Sequence, residues 1–102
     1  MHLKLSGLRG RSVLDANAAI IGEVRAPLVD TETWLVDTLR IGVRRHAAGE
    51  LGMMWSFFNR PAMDIPTGLI HVAGDAIILR VSMAELRESP PANVEAADAA
   101  IH

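Results

Sequence analysis

The amino-acid sequence predicts a mainly β domain, a small β-barrel of five to six short antiparallel strands with a short C-terminal helical turn. Three observations carry that prediction. Trp34 to Val43 alternates apolar and polar side chains with period two, the mark of a half-buried strand. Short apolar runs between Arg11 and Val81 are cut by turn-forming clusters at Asp15-Ala16-Asn17, Asp30-Thr31-Glu32-Thr33 and Ala73-Gly74-Asp75. Ser82-Met83-Ala84-Glu85 then has the S-x-x-E form that starts a helix.

Taken in order, Arg11-Ser12-Val13-Leu14 is the first strand. Ile20 to Val29 is the second, and Pro27 within it cannot donate to a central ladder. That strand therefore lies at an edge or carries a bulge there. In the third strand, Trp34 to Val43, Leu35, Leu39, Ile41 and Val43 share one parity and form its core face. Asp37 shares that parity, so it sits at the wet end of the strand or is hydrogen-bonded inside. Arg44 to Glu50 reads as a polar excursion, and Met53 to Phe58 as a fourth strand with large residues on both faces. A short segment at Leu69 to Val72 follows. Gly74 is available for positive φ in the next turn, and Ala76 to Val81 is the last strand. The helical turn runs through Leu86-Arg87, and Pro90-Pro91 stops it. These boundaries give one domain over residues 1–88 and a flexible, alanine-rich tail over 89–102.

Composition bounds the function. With 102 residues the chain is one domain, and 50% hydrophobic with 22% charged residues fits a folded core. There is no cysteine, which leaves no disulfide or thiolate metal site and suits a reducing compartment. The first residues lack the apolar core of a signal peptide, and no apolar run approaches a membrane span. The expected location is cytoplasmic. A formal net charge of -2 argues against a dedicated nucleic-acid binder.

Three segments resemble the PRC-barrel family, named after the photosynthetic reaction centre. They are Ile21-Gly22-Glu23-Val24 with Leu28-Val29-Asp30, the long strand that follows, and Ile65-Pro66 with Ile70 and Gly74-Asp75-Ala76-Ile77-Ile78. Together they cover about residues 8–82. The chain departs from the pattern at Asn17-Ala18-Ala19, where a glycine-containing acidic turn is usual, and in the long aromatic stretch 44–60. The resemblance implies a non-catalytic barrel that docks on other proteins, as in the reaction-centre H subunit and a ribosome maturation factor. It resembles the stand-alone prokaryotic members.

No catalytic motif is present: there is no G-x-S-x-G elbow, no cysteine nucleophile and no glycine-rich phosphate loop. No enzymatic activity and no cofactor are therefore expected. His46 and His71 would need to converge with carboxylates such as Asp64 or Asp75 to hold a metal, and the simpler reading makes them ordinary loop and strand residues. Arg40, Arg44, Arg45 and Arg60 are candidate contacts to an anion or acidic partner, or a solvated hairpin tip. Met53, Met54, Trp55, Phe57 and Phe58 hold three of the four aromatic residues and two of the five methionines. Such residues are enriched at protein interfaces, so they either form one or pack internally on both faces. The expected function is a protein-protein interaction or adaptor barrel that self-associates as a homodimer. The alternative is an RNA- or ribosome-associated accessory factor.

Overall fold

The computed structural model describes residues 5–58 and 60–90. The tail predicted for 89–102 falls, beyond Pro90, outside the described residues. A helical turn, α1 (Leu5–Leu8), precedes β1 (Ser12–Leu14), β2 (Ile20–Asp30) and β3 (Leu35–Val43). Then come α2 (Arg45–Leu51), β4 (Ala62–Pro66), a 3-10 turn (Thr67–Leu69), β5 (Ile70–Ala73), β6 (Ile77–Leu79) and α3 (Met83–Glu88). The described residues are thus mainly β, with three short α-helices.

The strands form one sheet in the order β4-β3-β2-β1-β6-β5. All neighbours are antiparallel except β1 and β6, which are parallel, with Val13 opposite Ile77 and Leu14 opposite Ile78. The purely antiparallel arrangement expected from sequence is therefore corrected. A parallel pair needs a long crossover, and here most of the chain lies between the two strands. Among the described residues no ladder joins β4 to β5, so the sheet is not closed by hydrogen bonds. It is nonetheless curled. In a flat sheet β4 and β5 would lie five strand spacings apart, about 24 Å. Only Thr67–Leu69 connects them, and the step from Pro66 to Ile70 spans at most about 15 Å.

The β2–β3 hairpin is the spine of the sheet. Its register places Glu23 opposite Gly42 and Val24 opposite Ile41, with an irregularity at Arg25. Pro27 lies beyond the part of β2 that β1 covers, since β1 pairs only with residues from Ile20 to Glu23. Its missing N–H thus costs no second ladder. Gly22 is required where the two strands approach, because a Cβ there would stand 1.8 Å from the Gly42 carbonyl oxygen. Val13, Ile21, Val24, Leu39, Ile41, Met63, Ile65, Ile77 and Leu79 form the buried sheet face. Leu8, Ala47, Ala48, Leu51, Met83 and Leu86 complete the core from the helices.

Several expectations change. Leu35 is exposed instead of lying on the core face, because the start of β3 is its wet end; Asp37 is exposed there, in the first of its two expected placements. Trp34 is not in the strand; it closes the hairpin turn with φ 60°, its N–H donating to the Asp30 carbonyl at 2.7 Å. Gly74 is not among the residues with positive φ. The excursion after β3 is a helix. Ala47, Ala48 and Leu51 form its buried face, and Gly52 ends it in the left-handed conformation, φ 74°. Met53 to Phe58 is irregular, and the fourth strand is Ala62–Pro66, where Met63 and Ile65 point inward.

The first turn and the last helix are tied by one buried acid. Asp15 is 2% exposed. Its Oδ1 accepts from the N–H groups of Asn17 and Ala19, each at 2.9 Å. Its Oδ2 accepts from the Met83 N–H, at 3.0 Å, in the first turn of α3. That helix has the predicted capping box, with the Ser82 hydroxyl accepting from the Glu85 N–H at 3.1 Å.

Candidate docking groove

β3 ends at Val43, and the chain turns through an extended Arg44 into α2. The Arg44 N–H donates to the Ile21 carbonyl at 2.9 Å, which fixes this exit against β2. The Met53 N–H donates to the Ala48 carbonyl at 2.8 Å, which folds the next segment back over the helix. Between these two anchors lies an open groove of about 410 Å³. Arg25, Arg44, Arg45, His46 and Arg60 line it, with Glu23, Val43 and Trp55.

Trp55 organises the cations. The guanidinium carbons of Arg45 and Arg60 lie 5.4 and 5.9 Å from its ring centroid, within cation–π range. Phe57 packs edge-on against the same ring at 6.2 Å. Beside the groove the segment presents its apolar side chains to solvent: Met54 is 91%, Phe57 82% and Phe58 101% exposed. Met53 and Trp55 turn inward and pack against the core. The Met53–Phe58 cluster is therefore divided, with its inward members anchoring the segment and its outward members free of the core.

The arginines are divided as well. Arg44 and Glu23 stand 3.7 Å apart, and His46 faces Glu50 at 3.2 Å on α2. Among the described residues, Arg25, Arg45 and Arg60 have no carboxylate within ion-pairing distance. Arg40 does not belong to the groove. It forms a two-pronged ion pair with Asp64 on the neighbouring β4, at 2.8 and 3.0 Å. The hydrogen bond to Asp64, and then its charge, raise the Arg40 pKa above the ordinary value. The pair joins β3 to β4 across the ladder.

Arg25 was not among the residues singled out from sequence. The β2 irregularity places its guanidinium over Gly42, where a Cβ would stand 2.5 Å from the Arg25 Nε. Once the hairpin register is known, Gly42 is the signal. Among the described residues no group of three or more His, Asp or Glu side chains is placed to hold a metal ion. A further exposed apolar site lies at the far end of the hairpin, where Trp34 and Leu35 are 76% and 66% exposed. No protein-family model matches this chain, and no curated protein matches it.

Proposed function

We propose that the chain is a non-catalytic docking module that binds another protein chain through the surface around residues 53–60. The observation that carries this reading is the exposure of Met54, Phe57 and Phe58 beside Trp55 and three guanidiniums that have no carboxylate partner among the described residues. Aromatic residues, methionine and arginine are the types that interfaces enrich. Burying three such apolar side chains is worth roughly 1.5–3 kcal/mol each. Association itself costs about 4–15 kcal/mol. The apolar face alone thus comes close to breaking even, and the neighbouring charges decide whether a partner stays.

A PRC-type barrel is the finer fold assignment that accompanies this reading. It is supported by the Ile21-Gly22-Glu23-Val24 and Ile65-Pro66 segments and by the short link between the two sheet edges. Homodimerisation through the 53–58 segment is one form of docking, and light scattering separates it from binding to a different chain. In extracts of its own cells, the wild type is expected to retain a bound chain that the Phe57→Ser, Phe58→Ser variant loses. A wild type that is strictly monomeric and retains no partner, with the variant behaving alike, removes the proposal. The RNA-associated reading draws on the same arginines. It requires salt-dependent RNA binding that weakens when Arg44 and Arg45 are replaced.

A further inference from the structure

We infer that the groove lined by Arg25, Arg45 and Arg60 receives a short acidic segment of a different protein. This rests on the docking proposal and specifies the partner's chemistry.

Four guanidiniums and the Glu23 carboxylate give the groove a formal charge of +3. The whole chain carries -2, so everything outside the groove carries -5. A cationic groove in an acidic molecule favours an anion that stays within it. A long polyanion such as RNA must also extend beyond the groove, onto a remainder of the chain that carries net negative charge. Glu23 opposes a compact dianion for the same reason, because its carboxylate lines the groove beside Arg44. Separate monoanions suit the site better. Each carboxylate of an acidic peptide can take one guanidinium fork and stay clear of Glu23.

A second copy of the chain is the poorer occupant. A two-fold contact through the same segment sets each surface against itself. Phe57 packs on Trp55, which lines the groove, so such a contact brings two cationic grooves together. The partner that complements this surface carries acidic residues for the groove and apolar ones for Met54, Phe57 and Phe58. Arg45 and Arg60 are already held against the Trp55 ring, so less side-chain freedom is lost when they bind.

Trp55 reports occupancy directly. With Trp34 replaced by Phe, its fluorescence can be titrated with N-acetylated, C-amidated hexaglutamate at low salt. Saturable binding is expected, weaker at physiological salt and about tenfold weaker in the Arg45→Gln, Arg60→Gln variant. Arg25→Gln alone is expected to weaken it less, and it supplies the comparison if the double variant does not fold. Inorganic phosphate and oligouridylate are titrated in parallel. The inference is overturned if hexaglutamate binds no better than phosphate, if oligouridylate binds more tightly, or if the variants bind as the wild type does. The two proposals fail separately. If the wild type retains a protein partner but ignores hexaglutamate, docking stands and the acidic specificity falls. If hexaglutamate binds but the phenylalanine variant still retains the partner, the specificity stands and the drawn surface falls.

Discussion

Asp15 offers the sharpest test of how the fold is held, because its carboxylate accepts from three backbone donors, two on Oδ1 and one on Oδ2. Asp15→Asn keeps the shape and removes one acceptor. If the amide oxygen stays with Asn17 and Ala19, its NH2 group meets the Met83 N–H, donor against donor. If the amide flips, two donors are lost where there was one. A hydrogen bond to a charged group is worth about 1.5–3 kcal/mol, and an unsatisfied buried N–H adds to that loss. The expected destabilisation is about 2–4 kcal/mol, a large share of the ~5–15 kcal/mol that holds a domain together. Each kcal/mol lowers the Tm of a domain this size by roughly 4–8 °C. Urea unfolding followed by circular dichroism measures it. Asp30→Asn is the control, since Asp30 Oδ1 accepts from one exposed backbone N–H, that of Glu32, at 2.8 Å. That substitution should cost less than about 1 kcal/mol. Equal losses at the two positions would show that Asp15 does not join the first hairpin to α3.

Three further outcomes follow from single positions. Ala18 sits in the left-handed region with φ 65°, so Ala18→Gly should stabilise the protein by up to about 1 kcal/mol in the same unfolding assay. Gly42→Ala should displace the Arg25 guanidinium and weaken hexaglutamate binding, while leaving the far-UV spectrum unchanged. Arg40→Ala should leave that binding untouched and cost about 1–3 kcal/mol, because it strips the two-pronged partner from Asp64, whose side chain is only 12% exposed.

The β2–β3 hairpin was legible because Leu39, Ile41 and Val43 alternate with polar residues and glycine, and only a strand satisfies that spacing. The capping box at Ser82 was legible for a similar reason, since its partners are three residues apart and need nothing distant. α2 was missed because Arg44 to Glu50 is mostly polar. Its signal was the buried Ala47-Ala48 pair with Leu51, followed by Gly52. That omission had a second consequence. Without the helix, Met53 to Phe58 filled the place of the fourth strand, while Ala62–Pro66 was hidden between Pro61 and Pro66. Parity alone also misplaced Leu35, because alternation tells which face a side chain takes and not where the cover over that face ends. The groove depends on the hairpin register and on the return of the chain at Met53, which set Arg25 and Arg60 near Arg45. Neither is a local property, so only Arg44, Arg45, Arg60 and the aromatic segment could be suspected from sequence; Arg40, singled out with them, lies outside the groove and pairs with Asp64.

The most direct test of the docking surface is amide chemical-shift mapping. The isotopically labelled protein is titrated with a capped hexapeptide that joins acidic and apolar residues, Glu-Glu-Leu-Phe-Glu-Glu. Shifts are expected to concentrate at Arg25, Arg44 to His46 and Met54 to Phe58, with little change at Trp34 and Leu35. Shifts centred on the Trp34–Leu35 hairpin tip, or spread evenly over the sheet, would contradict that surface.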